Sequence, residues 1–436
     1  MREGSRKRHH AHTLLQRHPA EVAEVLSALR EEEAVELLRR LYLRRAAAGP
    51  LGEMDPEDAA RLFAELNRDE AVQILSRMDP DDAVDLLAEL PRETVQDMLR
   101  RLESRTAKVL ADLLAYPADT AGGLMSPEVV GLPVDLTCQQ AIDYLRQKAE
   151  ETETVYYAYV VDDAGKLTGV LSLRDLVFAR PDTPVGEFMR TDMVVLQADQ
   201  DVEEVARTFD KYNFLALPVV DGAGRLLGIV TVDDVIDVIR EEDTEDIYRL
   251  AGAPLEERVD TPWTHSLRLR LPWLYVNLAT AMLAASVVGV FESAIAKVAA
   301  LAVFMPVVAG QGGNTGMQTA TIVIRAMALG ELPPGREWRL LGKELLTGLF
   351  KGLAVGVVAG AVAYIWKGSC FLGLVVFMAM VLNLIVAGLT GAVIPLTLRS
   401  LRLDPALASS IFLTTVTDTL GFFFLLALGA VFLDRL

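Results

Sequence analysis

The stretch FMPVVAGQGGNTGMQTATIVIR, residues 304–325, lies inside a long apolar region, yet it carries more polar and helix-breaking residues than a lipid-facing helix tolerates. A backbone buried in a bilayer must satisfy its own hydrogen bonds, so Pro306, Gly310, Gln311, Gly312, Gly313, Asn314 and Gly316 suit the side of a polar path better than a lipid face. Pro306 removes an amide donor, and the glycines permit either a break in the helix or a close helix approach. Gln311, Asn314, Thr315 and Gln318 supply uncharged oxygens and amides. Gly312 and Gly316 also form a G-x-x-x-G pair, so a tight helix crossing is the competing reading.

A second polar stretch, TTVTDTLGFFF, places Asp418 among apolar residues, the one acid between Asp404 and Asp434. An ionisable group at membrane depth costs roughly 2.5 to 3.5 kcal/mol even on the lenient insertion scale, so it ordinarily faces a pathway. The alternative is a carboxyl satisfied by Thr414, Thr415 or Thr417. Around these stretches the chain parses into five apolar segments, residues 271–291, 294–324, 340–366, 371–398 and 405–433, each long enough to cross a core that needs ~20 apolar residues. Arg268, Arg270, Arg325, Arg336, Arg339, Lys343, Arg399 and Arg402 fall on one side, against mainly Lys297 and Lys367 on the other. Positive charge faces the cytoplasm, so the preceding half is expected to be cytoplasmic and the C-terminus outside a multi-pass cell (inner) membrane protein. Glu344 is expected near the membrane surface, where substituting it would matter little. Gly352, Gly356 and Gly360, at four-residue spacing, mark a face for close packing within or between subunits.

Charge divides the 436 residues sharply. From residue 262 onward there are 12 Lys+Arg and 7 Asp+Glu, a net of +5, which leaves 30 and 53, a net of −23, for the first 261 residues; the two sum to −18. That sign argues against nucleic acid as a partner and for cations. Cys138 and Cys370 are too few and too far apart for a disulfide framework or a thiolate zinc site. No histidine follows His265, which excludes an H-E-x-x-H intramembrane metalloprotease. A chloride channel would need many more crossings.

The basic start MREGSRKRHHAH has no apolar core behind it, so residues 1–18 read as a disordered tail rather than a signal peptide. Residues 19–124 read as a small all-α solenoid. MDPEDAARLFAEL begins at Met54 and MDPDDAVDLLAEL at Met78, a step of 24, halved by segments beginning at Leu66 and Leu90. Asp55-Pro56 and Asp79-Pro80 are helix starts, with Asp as cap and Pro in the first turn. Asp81, Asp82 and Asp85 then crowd one helix without basic partners on it.

Over residues 125–239 the pattern becomes α/β and doubled. YAYVVDDAGKLTGVLSLRDL aligns with FLALPVVDGAGRLLGIVTVDDV, so that Gly165, Gly169 and Asp175 stand 59 positions before Gly224, Gly228 and Asp234. Each copy reads as a strand, a D-x-x-G turn, a second strand and the opening of a helix. The doubled G-[VI]-[LV]-[ST]-x-x-D ending resembles a tandem pair of CBS domains. That resemblance implies a nucleotide site, in which Ser172 and Asp175, or Thr231 and Asp234, hold a ribose, with Arg174 and Phe214 beside the first pair. Many such pairs bind nothing, so ATP at these domains is an expectation to be met by geometry.

Residues 240–262 continue an acidic helical stretch, DDVIDVIREEDTEDIYRLAG, in which Asp237 with Glu241, Glu241 with Glu245 and Glu242 with Asp246 stand at i, i+4 and repel without a cation. It reads as a regulatory metal site or as an acidic connector. The whole set, a helical solenoid, a CBS pair, an acidic connecting helix and a five-helix transmembrane domain with GGNTG and TTVTD, resembles the MgtE family of magnesium channels and transporters. The resemblance implies a homodimer in the lipid bilayer, no enzyme activity, and a pore in which Asp418 recognises Mg²⁺ with Thr414, Thr417 and Asn314. It also implies a cytoplasmic part that closes the pore when Mg²⁺ binds, with Asp81, Asp82, Asp85, Glu203, Asp234, Asp237, Glu242, Glu245 and Asp246 as candidate regulatory ligands. Met317 and Asn213 depart from the family pattern, the second where an acid is common. The alternatives are a CBS-containing membrane sensor and a transporter that also takes Co²⁺, Mn²⁺ or Ni²⁺. One carboxylate per subunit with neutral oxygens suits Mg²⁺, which keeps several of its waters.

Overall fold

The computed structural model describes residues 17–148, 156–255, 257–259, 261–332, 335–406 and 409–433, without the side chains of Asp243, Asp246 and Ser409. Most of the basic start, and Asp246 as a ligand, therefore lie outside the described residues. Packing divides the chain into two compact units, Met1–Arg240 and Glu241–Leu436.

The first unit begins with short helices: α1 (Pro19–Ala28), α2 (Glu31–Tyr42), α3 (Ala48–Gly52), α4 (Pro56–Ala64), α5 (Arg68–Leu75), α6 (Pro80–Ala88), α7 (Arg92–Arg101) and α8 (Ser104–Leu113). Helix α4 packs on α6, α5 on α7 and α6 on α8, the skip-one contacts that a repeat of half-step helices produces. Phe63, Leu75, Leu86, Leu87 and Leu110 fill the seam. Asp55 caps α4, accepting from the amides of Glu57 at 3.1 Å and Asp58 at 3.4 Å. Asp79 makes no such bond, although Pro80 opens α6 as expected. Its charge bears instead on Asp82 and Glu128.

After α9 (Ala121–Leu124) come two copies of one α/β arrangement. In the first, β1 (Gly131–Pro133), α10 (Cys138–Gln147), β2 (Tyr157–Val161), β3 (Leu167–Ser172), α11 (Leu173–Phe178) and α12 (Val185–Phe188) follow in order. In the second come β4 (Leu196–Gln197), α13 (Val202–Tyr212), β5 (Ala216–Val220), β6 (Leu226–Thr231) and α14 (Val232–Ala251). Each sheet has a parallel first pair and an antiparallel second pair, with the order β1-β2-β3 or β4-β5-β6. In each D-x-x-G turn the aspartate oxygen accepts two backbone amides, Asp162 from Ala164 and Lys166 at 2.9 Å, and Asp221 from Ala223 at 2.9 Å and Arg225 at 2.8 Å. Gly165 and Gly224 take φ of 76° and 78°, which a side chain would oppose. The two turns then bond each other: Leu167 N donates to Gly224 O at 2.9 Å and Leu226 N to Gly165 O at 3.1 Å. Asn213 ends α13 at φ 54°, a left-handed position that Asn tolerates.

The acidic helix matches the stretch read from the sequence, Asp233 to Gly252, to within one residue at each end. It starts at Val232, inside the second copy, and stops at Ala251, with Gly252 at φ 65° after it. The second unit then contains α15 (Trp263–Val290), α16 (Glu292–Lys297), α17 (Ala300–Ala328), α18 (Glu337–Lys367), α19 (Cys370–Ser400) and α20 (Ser409–Val431). Among the described residues, four stretches, Trp263–Val290, Glu337–Lys367, Cys370–Ser400 and Ser410–Val431, are long and apolar enough to cross a membrane. Helix α17 has the length, 29 residues, but Gln311, Asn314, Gln318 and the threonines dilute its apolar character. It is also unbroken: the GGNTG stretch continues one helix, and Gly312 and Gly316 serve close approach while Gly313 has nothing within 4 Å.

Glycines set the spacing of α18 on α19 within the single chain. A Cβ at Gly348 would stand 2.7 Å from the Leu384 carbonyl, at Gly352 2.8 Å from Val381 Cα, and at Gly360 2.7 Å from the Gly373 carbonyl. Backbone can approach backbone there because no side chain intervenes. Gly352→Leu should therefore lose roughly 1–3 kcal/mol through overpacking. Gly342→Ala, where nothing lies within 4 Å, should hold its stability or gain up to about 1 kcal/mol in a helix. Thermal unfolding of the two purified variants in detergent checks the contrast.

Candidate functional site

Helix α20 carries Asp418, half-buried, in a run of threonines. These hydroxyls turn back on their own helix: Thr414 donates to Ser410 O at 2.9 Å, Thr415 to Ile411 O at 2.6 Å, and Thr417, wholly buried, to Leu413 O at 3.0 Å. Their oxygens retain acceptor capacity, but their protons are spent. Gly316 of α17 faces Leu413 and Gly429 faces Leu301, so α17 and α20 run antiparallel. Asp418, five residues on from Leu413, is thus about level with Gln311 and Gly312, beside Asn314.

The four expected path residues share that depth without sharing one cavity of the single chain. Asn314 lines a cavity of about 800 Å³ with Gln311, Gln318, Thr321 and Lys351. Thr414 lines another of about 520 Å³ with Arg270, Trp273, Asn277 and Ser410. Asp418 and Thr417 line neither.

Three polar groups in the apolar helices were not legible as partners in the sequence. Lys351 Nζ donates to Gln318 Oε1 at 3.2 Å. Asn383 is fully buried in α19 and donates to the Val308 carbonyl at 2.8 Å. Glu344 overturns the expectation of a neutral surface position: it is 5% exposed, accepts from the Thr319 hydroxyl at 3.1 Å and pairs with Lys343 at 3.4 Å. A lone charge or amide inside an apolar run was the available signal at each position.

In the first unit, carboxylates gather around Asp82. Burial first, then the charges of Asp79, Asp234, Asp85 and Glu53, push its carboxyl up to about 7. Burial and Asp79 likewise raise Glu128. This is accumulated negative charge of the kind a cation relieves, and it joins Asp82 and Asp85 of α6 to Asp234 of α14. Among the described residues, no group of three or more His, Cys, Asp or Glu side chains is close enough to enclose a metal directly. A hydrated Mg²⁺ needs only one or two carboxylates, so the donor set fits that ion better than a caged one. Other candidate ligands already hold cations of their own helices: Glu203 pairs with Arg207 at 3.4 Å, Asp237 with Arg240 at 3.2 Å, and Glu245 with Arg249. Arg249 also pairs with Asp404.

The nucleotide candidates do converge. Ser172, Arg174, Asp175 and Phe214 all line a cavity of about 350 Å³ between the two α/β copies, with Tyr157, Tyr159, Arg190 and Asp192. Ser172 accepts from the Asp175 amide at 3.0 Å, which fixes the start of α11. Tyr157 meets Phe214 edge-on at 6.3 Å, and Tyr212 stacks on it at 5.8 Å. Tyr159, missed in the sequence, is buried and its hydroxyl has no partner. In the second copy, Asp234 accepts the Thr231 hydroxyl at 2.5 Å, and neither residue lines this cavity.

Apolar helices with an intramembrane carboxylate, preceded by an acidic body with a paired ligand-sensing fold, define a regulated membrane transport protein. Family comparison agrees. The MgtE divalent cation transporter domain matches residues 305–428, the MgtE intracellular N domain residues 17–119, and CBS domains residues 121–182 and 185–241. The magnesium transporter MgtE of Thermus thermophilus is 42% identical over 340 residues, covering 76% of this chain and 74% of that protein. Its Bacillus subtilis counterpart is 38% identical over 335 residues, 77% and 74%. A crystal structure of the cytosolic domain of the Mg²⁺ channel MgtE in complex with ATP superposes with TM-score 0.50 at 40% identity, over 52% of this chain and 93% of that one. The chain belongs to the MgtE family.

The Asp82 cluster has a pH signature. A carboxyl whose folded value lies above its unfolded one favours the folded state while protonated. That contribution is full below pH 3.8 and is lost as pH rises through about 7. Asp82→Asn should therefore raise the melting temperature of the full-length protein at pH 8 and leave it nearly unchanged at pH 4. Added divalent cation should stabilise the unsubstituted protein more at pH 8 than at pH 5.5, and substitution should shrink that difference; calorimetry across pH checks both.

Proposed function

We propose that this chain transports Mg²⁺ across the cell membrane as a homodimer, with Asp418 of each copy recognising the hydrated ion. Its cytoplasmic acids, in the helical N-terminal region (19–124), the CBS pair (125–239) and the connecting segment (240–262), close the path when Mg²⁺ binds them. The observation that carries this reading is the position of Asp418, the carboxylate of α20, level with the amide-rich stretch of α17. Membership of a family whose relatives are named magnesium transporters supports the choice of ion. Five crossings over residues 263–436, with α17 as the polar one, place the C-terminus outside. Thr414, Thr417 and Asn314 receive the ion's water shell. Asp81, Asp82, Asp85, Glu203, Asp234, Asp237, Glu242, Glu245 and Asp246 supply the regulatory charge, with the Asp82 cluster the strongest centre. The chain performs no covalent chemistry: transport by hydrated-ion recognition needs none.

The cavity lined by Ser172, Arg174, Asp175 and Phe214 takes ATP, a reading supported by the ATP complex of the related cytosolic domain. Aromatic rings offer the base a stacking surface, Asp175 the ribose an acceptor, and Arg174 the phosphates a cation. ATP at a hundredfold excess over its dissociation constant should stabilise the protein by about 2.7 kcal/mol. Asp175→Asn or Phe214→Ala should abolish the associated rise in melting temperature, and an unchanged rise would return the cavity to a purely structural role.

A dication near 5 Å from each of two carboxylates gains several kcal/mol per carboxylate at an effective dielectric of about 20, before desolvation. Asp418→Asn should accordingly lose Mg²⁺ flux by about a hundredfold or more in reconstituted vesicles with a Mg²⁺ gradient and no proton or sodium gradient. Asp418→Glu should be milder in flux and worse in selectivity. Glu292→Gln, an exposed position, is the control. Wild-type flux and selectivity in a correctly inserted Asp418→Asn protein would refute the assignment. Because the matching family domain is a divalent cation transporter, Co²⁺, Mn²⁺ and Ni²⁺ belong in the same assay as competitors.

A further inference from the structure

Asn383 sits in the middle of α19, inside the apolar run VLNLIV, with none of its surface exposed. Its Nδ2 donates to the Val308 carbonyl of α17 at 2.8 Å, while its buried Oδ1 has no hydrogen-bond partner among the described residues. Two glycines face this one amide from two other helices. A Cβ at Gly312 of α17 would overlap Nδ2, and a Cβ at Gly421 of α20 would stand 2.9 Å from Nδ2 and 3.3 Å from Oδ1. Three helices thus meet on a single side chain, and the crossing is cut to its shape.

The position matters because of what flanks it. Gly421 is three residues beyond Asp418 and Gly312 two before Asn314, so Asn383 touches both path helices within about one turn of the residues assigned to the ion. A leucine has a similar branched outline, though bulkier, and would bury no amide and leave no acceptor unmatched, so stability alone does not call for an amide here. The amide instead ties α19 to the backbone of α17 and wedges α20 at a fixed distance.

We propose that Asn383 is a positioning residue of the ion path, the spacer that sets the separation of the Asp418 helix from the Asn314 helix and so the discrimination among divalent ions. The proposal rests on the assignment of Asp418 to the path. The test uses the full-length protein in liposomes, reading Mg²⁺ flux and the Mg²⁺ to Ca²⁺ and Mg²⁺ to Co²⁺ ratios beside melting temperature. Asn383→Leu should keep or raise the melting temperature yet lose about tenfold or more in flux or in either ratio, since small misplacements of a site cost that much. Gly421→Ala should lower flux, and adding Asn383→Ala should restore part of the loss by vacating the wedge. Unchanged flux and ratios in Asn383→Leu, or a Gly421→Ala defect that Asn383→Ala does not relieve, would overturn the proposal. If Asn383→Leu fails to insert, the Gly421 and Asn383 pair decides alone. Wild-type flux in Asp418→Asn would reject the assignment of Asp418, whereas coupling between Gly421 and Asn383 in melting temperature tests the wedge separately.

Discussion

Backbone-to-backbone approach between α18 and α19, and around Asn383 between α17, α19 and α20, is the constraint on which the apolar unit depends. In a bilayer, the apolar side chains of helices gain little by leaving lipid for one another, so association relies on fit. Glycine at Gly348, Gly352 and Gly360 brings the helix axes close enough for carbonyls and Cα atoms to meet. That closeness leaves Glu344, Thr319 and Asn383 buried with defined partners and keeps the polar residues of α17 on a continuous helix. A broken helix would have released backbone groups that the surroundings would have to satisfy; here the glycines fulfil another role and the ladder continues.

The acidic unit obeys the opposite logic. Its fold does not minimise repulsion: burial first, and then the nearby charges of Asp79, Asp234 and Asp85, hold Asp82 back from ionising until about neutral pH. Elsewhere the same unit spends acids economically, as pairs with arginines three or four residues away that contribute little to stability in exposed positions. The contrast separates charge that is a solvated face from charge that carries a cost. It also explains why residue identity alone does not rank the candidate regulatory ligands: Glu203 and Asp237 look like Asp82 in the sequence, and only three-dimensional surroundings distinguish them.

Periodic and duplicated features were the most legible. The 24-residue repeat, the paired D-x-x-G turns and the apolar helices follow directly from spacing, because local geometry decides them. The resemblance to a CBS pair also named Ser172, Arg174, Asp175 and Phe214, which the fold brings to one cavity, but the doubled motif alone offered Thr231 and Asp234 equally, and these lie outside it. What sequence left open depended on contacts between distant segments. The GGNTG stretch allowed a break or a crossing, and only the neighbours of Gly312 and Gly316 select the crossing. Glu344 looked peripheral because it lies near the start of α18, yet Thr319 of α17 and the close approach of Gly388 of α19 cover it. Asn383, a single amide in a hydrophobic run, gave no hint of its three-helix contact.

The leucines after the two D-x-x-G turns donate their amides to the opposite turn's glycine carbonyl, a reciprocal pairing of two-fold kind, and a perfectly symmetric pair would present two equal sockets. This pair is not symmetric. Ser172 caps its helix and leaves Asp175 on the cavity, whereas Thr231 engages Asp234, which stands outside that cavity and adds to the charge around Asp82. The duplicated motif is used unequally: one aspartate lines a cavity, and its twin adds to the charge of the helical repeat. Under the proposed function the two homologous aspartates would answer to different chemical signals, with one nucleotide per chain rather than two.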